Sequence, residues 1–492
     1  MAAVVYPQLA AAIALTAVFA SFARCIYLSF FHPLAKYPGP RWAALTEYWY
    51  AIHWSSGSYP YIMQAAHEEY GDLIRTGPNH LSFATIQAHR DIYGYKPLFP
   101  KSEWYTGGRP HGIIFERDPT KHSQIRKALS SGFSPRALRE DIEPTAEDLS
   151  KGLVALLAAS DGSQNDNARR IDVGEAFTMF AFDVIGVFTF GKSFDCIETG
   201  TLHPLAEMMH TGAYSATLVP LRKRLWFFDK YINWTYRDQD PAKVRSKHVM
   251  LLVTALKERI ARGADPDPEH QDTINRVLEK QSLTEDVLLN NLVNLLIAGA
   301  ETVATGLSGA LWFLLHNEEA LKRLQAEIRG DFVSADEITG ESTVKLKYLR
   351  AVIDETLRIL PPSPFGQSRT SPGASVDGRY IPAGTSVSTD VWCLQHSERY
   401  WKAPWSFRPE RWLEDNGDDK GAFQPFSEGP RVCLGMGLAY MEMRLVLAKL
   451  VWNYDWELDD ACRGWWDGLR LEFMWRKPEL YVHFRPRSDV SL

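Results

Sequence analysis

Phe426-Ser427-Glu428-Gly429-Pro430-Arg431-Val432-Cys433-Leu434-Gly435 sets one cysteine in a fixed frame. Phe stands seven residues before Cys433, Gly four before, Arg two before and Gly two after. No second cysteine lies nearby, so the spacing suits neither a zinc site nor a disulfide. A single thiolate can instead serve as the axial ligand of a haem iron. On that reading Gly429 and Gly435 let the backbone approach a flat macrocycle, and Arg431 offers a fixed cation to an acidic group. The apolar periodic stretch Leu434–Trp452 follows at once, which places Cys433 near a helix N-terminus where partial positive charge favours a thiolate. The competing reading is a buried structural cysteine in a Gly-rich turn.

The run resembles the haem-binding signature of the cytochrome P450 haem-thiolate monooxygenases, Phe-x-x-Gly-x-Arg-x-Cys-x-Gly, at every fixed position. The resemblance implies a mainly α fold with a small β part, haem b with Cys433 as its axial ligand, and Arg431 on a haem propionate. It makes Phe426, Gly429 and Gly435 part of the cofactor frame. Leu438-Ala439-Tyr440-Met441-Glu442-Met443-Arg444 is similar to filamentous-fungal members, many of which tailor terpenoids or polyketides.

Other motifs are placed by the same resemblance. Ala298-Gly299-Ala300-Glu301-Thr302 lies in the middle of a long apolar helix, where Gly299 costs about 1 kcal/mol relative to Ala. Room for a flat group is one reason for that cost, and a tight helix crossing is the other. Thr302 can hydrogen-bond the carbonyl one turn back and open the helix locally. In the family this acid–threonine pair delivers protons above the iron, which makes Glu301 and Thr302 the catalytic candidates and Ala298 a cofactor contact. Glu355 and Arg358, at i and i+3, share a helix face. In the family such a pair is joined by an arginine matched here by Arg411 of Pro409-Glu410-Arg411-Trp412, with Trp412 where Phe is more usual. His122 and Arg126 match propionate donors, His122 standing where many relatives carry Trp. Arg369, after the Pro361-Pro362 break, matches a further propionate contact.

The chain has 492 residues, 45 % of them apolar and 23 % charged, with no linker, repeat or low-complexity tract, so one large domain is expected. A net charge of −6 argues against nucleic acid as a partner. Five scattered cysteines suit a reducing compartment. Val4–Phe31 is nearly all apolar with Arg24 its only charge, long enough to span a bilayer. A cleaved signal peptide normally has a basic n-region, which is missing here. Residues 1–32 therefore read as a membrane anchor and 33–492 as the haem-binding domain. Arg24, Lys36 and Arg41 place that domain in the cytosol, on the endoplasmic reticulum membrane. Tyr37-Pro38-Gly39-Pro40 reads as a stiff turn, and the sequon at Asn233 as chance.

Periodicity predicts helices over Thr145–Ala159, Ala242–Arg262, Ser282–Leu315, Glu318–Gly330 and Leu349–Leu360, with Ser282 and Glu285 as a capping box. Strands are expected at Leu73–Thr76, His80–Phe83, Thr385–Thr389 and Leu480–Phe484. By position, the substrate-facing segments are Trp104–Phe115, Met208–Trp226, Asn294–Ala298, Ser363–Gln367 and Phe473–Trp475. Their apolar and aromatic character favours a lipophilic substrate. The implied partners are dioxygen and an NADPH-dependent cytochrome reductase, with cytochrome b5 left open as a second donor. Two alternatives remain at this stage. One is a member that rearranges or dehydrates an oxygenated substrate, and the other is a non-catalytic haem-binding protein.

Overall fold

The computed structural model describes residues 2–106, 112–159, 171–206 and 283–487, with scattered positions between 217 and 275. Asn233, most of Met208–Trp226, most of the helix expected over Ala242–Arg262, and Ser282 lie outside the described residues.

The N-terminal helix α1 (Ala2–Ile26) runs into a π turn at Tyr27–Phe31. Leu9–Phe31 has a mean hydropathy of 2.0 and, Leu28 apart, is left uncovered by the rest of the chain. Its 23 residues fit a single-pass membrane anchor. Two other described helices, Val173–Phe190 and Glu285–Leu315, are also long and apolar enough to cross a membrane, each at a mean hydropathy of 1.5, but most of each is buried inside the protein.

After the anchor come α2 (Tyr48–Trp54), α3 (Tyr59–Tyr70), β1 (Leu73–Gly77), β2 (His80–Phe83), α4 (Ile86–Tyr93) and α5 (Pro119–Leu129). Two helices follow, α6 (Glu143–Ala159) and α7 (Val173–Phe190), then the longest, α8 (Glu285–Leu315). α9 (Glu318–Asp331) and α10 (Lys347–Ile359) precede the short strands β3 (Arg369–Thr370), β4 (Ala374–Val376), β5 (Arg379–Ile381) and β6 (Ser386–Thr389). The chain ends with α11 (Val391–Gln395), α12 (Met436–Asn453) and β7 (Tyr454–Leu458), then β8 (Arg470–Glu472), β9 (Met474–Arg476) and β10 (Val482–Pro486). The outcome is mainly helical with a small β part, as expected.

α8 runs against α7, and α10 and α12 pack on it in turn. Close approach needs small residues. A Cβ on Gly299 would lie 2.8 Å from Ile185 of α7, and one on Gly309 3.0 Å from Leu360. Helix packing against Ile185 therefore accounts for the cost of Gly299. α7 escaped the periodicity reading because it is buried on nearly every side, so no polar stripe marks its phase. The helix expected from Ser282 starts at Glu285, with Thr284 at the N-cap position and no side-chain cap there. The capping box places that end too early.

The main sheet runs β1-β2-β6-β3, with β2 and β6 parallel and the other pairs antiparallel. β10 pairs with β7, so the last strand sits two residues later than expected.

The joint between anchor and domain is built. Arg75 of β1 donates from Nη1 to the Leu28 carbonyl at 2.9 Å and from Nη2 to Pro78 O at 2.7 Å. The first bond caps the end of the anchor helix. Its backbone NH bonds Pro38 O at 2.7 Å, and a Cβ on Gly39 would meet Arg75 O at 2.5 Å, so the Pro-Gly-Pro turn lies directly on the sheet. Leu34 is fully buried with Leu73, Leu81, Phe83 and Val387. Two truncations therefore separate tether from core. One starting at Pro33 keeps Leu34 and is expected to melt close to the full-length protein. One starting at Lys36 loses a buried leucine, worth about 1.5–3 kcal/mol. Comparing the melting temperatures of the two purified proteins checks this, and equal values would contradict it.

Candidate active site

Cys433 lies two residues ahead of Gly435, the N-cap of α12. Its NH bonds the Phe426 carbonyl at 2.9 Å, which closes the signature run into a loop. The Phe426 ring packs 5.2 Å from Tyr440 of α12. Among the five cysteines, Cys196, Cys393 and Cys462 are buried, Cys25 is half-buried in the anchor helix, and Cys433 is exposed. The protein nevertheless crowds it. Burial raises its thiol pKa, and the Gly435 amide and the Arg126 guanidinium oppose the rise. Ala298 is exposed as well, the one such residue in the otherwise buried middle of α8.

Gly429 meets a constraint from the fold itself. It adopts φ +71°, and a Cβ there would meet Tyr93 O at 2.1 Å. The glycine lets the loop seat against the end of α4. A Cβ on Gly435 meets nothing closer than 3.7 Å.

Basic groups converge around this loop. α5 starts at the Asp118 N-cap, whose carboxylate accepts from Thr120 and Lys121 amides, and it presents His122 and Arg126 on one face. Arg126 Nη1 donates to Val432 O at 2.7 Å, and Arg431 Nη1 to Glu116 O at 2.8 Å. Arg431 Nη2 is buried with no hydrogen-bond partner. Arg369, also buried, lies 4.9 Å over the Tyr93 ring. Burial lowers His122 to about 3, helped by Arg431, Lys101, Arg126 and Arg369. Burial lowers Arg431 to about 10, with Arg369 adding to it and Glu116 opposing.

Lys101 belongs to the same cluster and was missed by the sequence reading. It is buried, its ammonium contacts the Ile114 carbonyl, and burial with Arg369 and Arg431 holds its pKa well below the ordinary lysine value. A lone lysine in Phe99-Pro100-Lys101-Ser102 carries no pattern that could have marked it. Lys101, Arg369 and Arg431 repel one another beside Arg126 and a neutral His122, and such a cluster, with an orphaned guanidinium NH, is unfavourable unless an anion joins it. A group with two carboxylates fits this donor set.

On α8, Thr302 Oγ1 donates to Ala298 O at 2.7 Å, the back-bond its position implies. Glu301 is partly buried and pairs with Lys477, which follows β9. Three of the expected substrate-facing segments meet as an aromatic cluster. Trp104 lies 5.9 Å from Phe365 and 6.3 Å from Phe473, with Phe365 and Phe473 5.8 Å apart. Ile113 NH bonds Asn291 Oδ1 at 2.7 Å, tying the Trp104–Phe115 segment to α8.

Glu355, Arg358 and Arg411 come together with no exposure. Arg358 is bidentate to Glu355 at 2.9 Å twice, and Arg411 Nε reaches Glu355 Oε1 at 2.9 Å. Trp412 adds something the usual Phe cannot, an indole NH bonded to Glu355 Oε2 at 3.0 Å. Asp418 pairs with Arg411 and balances the second guanidinium.

A second buried group contains His67, Asp390 and Cys393, with ligand-type atoms within 4.8 Å of one another. The polar atoms of His67 and Asp390 already have protein partners. His67 bonds Gly71 O and Ser82 Oγ at 2.9 Å each, while Asp390 accepts from Ser82 at 3.1 Å and Gly366 at 2.7 Å. Burial raises Asp390 to about 6. A carboxyl whose folded pKa exceeds its unfolded value contributes stability below the unfolded value and loses it as pH rises through the folded one. Asp390→Asn, which mimics the protonated form, should match the parental melting temperature near pH 3 and exceed it at pH 8. The gain at pH 8 is on the order of 2–3 kcal/mol. Equal melting at both pH values would contradict this.

The cytochrome P450 family model matches residues 38–483. The chain belongs to the cytochrome P450 family. It is 36% identical over 476 residues to cytochrome P450 monooxygenase BOA3 of Botryotinia fuckeliana, covering 93% of this chain and 92% of that protein. It is 38% identical over 485 residues to monooxygenase poxC of Penicillium oxalicum, covering 94% and 91%. A third relative, monooxygenase ORF9 of Penicillium roqueforti, is 36% identical over 475 residues, covering 95% and 92%. This cytochrome P450 is thus of the monooxygenase class and similar to fungal members. The family implies haem bound through a cysteine thiolate, which the basic cluster and the accessible thiol fit.

Proposed function

We propose that this cytochrome P450 inserts one oxygen atom from dioxygen into a lipophilic small molecule, of terpenoid or polyketide type. NADPH supplies two electrons through a cytochrome reductase, and the second oxygen atom leaves as water. The observation that carries the reading is Cys433, an accessible thiol in a closed loop beside buried basic groups that lack enough counter-charge.

Cys433 would hold the iron of haem b, and His122, Arg126, Arg369, Arg431 and Lys101 would hold its two propionates. The bound group supplies dioxygen activation. Ala298 offers a small surface on α8, and Phe426 backs the loop from the α12 side. The cluster of Trp104, Phe365 and Phe473 orients an apolar substrate and excludes water. Glu301 passes protons and Thr302, bonded back to Ala298 O, positions them. The Glu301–Thr302 pair favours oxygenation over a rearranging or dehydrating role, and over a non-catalytic haem protein. The apolar anchor would hold the enzyme on the endoplasmic reticulum membrane with its domain in the cytosol.

Thr302→Ala tests the proton role. A positioned proton donor contributes about 10²–10⁴-fold to a rate. The variant is expected to keep haem and to consume NADPH while product per NADPH falls and hydrogen peroxide rises. An unchanged ratio would make the hydroxyl a helix-packing feature. The substrate is found by comparing the metabolites of the producing host and its deletion strain. A compound that accumulates in the deletion strain should gain one oxygen atom when incubated with enzyme, reductase and NADPH. No NADPH-dependent product would defeat the proposal.

A further inference from the structure

We propose that Tyr93 is the positioning residue of Arg369: its ring face carries the buried guanidinium at the basic cluster, while its carbonyl seats the cysteine loop. The inference rests on the reading that this cluster holds the haem propionates, and deepens it by naming what aims one of the donors.

Tyr93 is the last residue of α4 and is buried. Its carbonyl is the atom that a Cβ on Gly429 would meet at 2.1 Å. Its hydroxyl accepts from the Thr389 amide of β6 at 3.2 Å. His89, one turn earlier on α4, lies 4.6 Å from the Tyr93 ring, and its Nδ1 meets Thr389 Oγ1 at 2.7 Å. Burial, then Arg369 and Arg90, lower His89 to about 3, so the imidazole beside the ring is neutral. The Tyr93 ring is thus clamped between α4 and β6, against the loop that carries Cys433.

The backbone of Arg369 is fixed as well. It pairs with Val387 of β6 on one side and with Lys101 on the other. What remains free is the direction of a long side chain that is only 2% exposed. Its Nη1 donates to the Gln367 carbonyl at 3.1 Å and the Ser368 carbonyl at 3.3 Å, and its Nη2 to Gln367 Oε1 at 3.2 Å. These three acceptors are neutral. A guanidinium enclosed in this way is poorly solvated, and the negative face of an aromatic ring is a counterpart for it. Arg369 Cζ lies 4.9 Å from the centroid of the Tyr93 ring, within the ~6 Å over which that attraction acts.

A ring differs from a carboxylate in one respect that matters here. It attracts the cation without neutralising it, so the charge stays available to an anionic group. Tyr93 therefore links the loop of the thiolate to a donor for the propionates through a single rigid side chain.

The test times haem loss from the full-length, haem-loaded enzyme to excess apomyoglobin. Tyr93→Leu should lose haem about tenfold faster than the parental enzyme, the equivalent of one desolvated cation–aromatic contact. Tyr93→Phe keeps the ring face and should stay close to the parental rate. Pentafluorophenylalanine at position 93 keeps the ring but reverses the charge of its face, so it should lose haem faster than Tyr93→Phe. These ring effects should vanish in an Arg369→Met background. A parental rate in Tyr93→Leu, equal rates for the two phenylalanines, or a ring effect that survives Arg369→Met overturns the assignment. If Tyr93→Leu fails to load haem, the two phenylalanines decide it. Arg369→Met is itself expected to lose haem faster. A parental rate there defeats the propionate reading beneath the assignment, whereas a faster rate with no ring effect defeats the Tyr93 assignment alone.

Discussion

Glu355→Ala is expected to leave almost no soluble, haem-loaded protein. The carboxylate sits between two fully buried guanidinium groups and also accepts from the Arg408 amide and the Trp412 indole. Removing it leaves Arg358 and Arg411 facing each other in a dry interior, with Asp418 as the only acid of the group. Breaking a buried pair in this way costs about 3–5 kcal/mol. A domain of ordinary stability has about 5–15 kcal/mol in all. The effect also reaches the cysteine loop. Arg358 Nη1 holds the Gln395 carbonyl at 2.8 Å, and Gln395 Oε1 accepts from the Gln424 amide at 3.0 Å, two residues before Phe426. Haem content per protein and melting temperature measure the outcome. Recovery of stable holoprotein at parental yield would reduce the triad to an incidental ion pair.

The triad also shows how far the sequence could be read. Glu355 and Arg358 are visible as an i, i+3 pair, but spacing alone cannot separate a surface bridge from a buried one. Only the resemblance linked them to Arg411. The structure adds Asp418 and the Trp412 indole NH, two partners that no spacing rule contains. The amphipathic helices α6, α9 and α10 were legible because each keeps a polar face. α7 was not, because burial on both sides erases its period. The start of α8 was misplaced since a capping-box pattern needs only two residues to match by chance.

Within the site, residue identities were more legible than their reasons. Gly299 and Gly429 answer to Ile185 and to the Tyr93 carbonyl, contacts that span more than a hundred residues. Lys101 and Lys477 were unreadable for the same cause. A single lysine carries no motif, and its meaning comes wholly from what the fold places beside it. Thr302 differs, because its partner is one turn away on its own helix.

The second large effect falls on Cys433. Of the five thiols it is the exposed one outside the anchor, and it sits in the loop that the basic cluster surrounds. Cys433→Ser replaces sulfur with a poorer electron donor of similar size, and nothing else in the loop changes. Cys393→Ser serves as the control, since that thiol is enclosed beside Asp390 and away from the signature run. The absorbance of the reduced, carbon-monoxide-treated enzyme reads the axial ligand directly. The account predicts the red-shifted thiolate band in the parental enzyme and in Cys393→Ser, and its complete loss in Cys433→Ser. A red-shifted band of normal intensity in Cys433→Ser would contradict it.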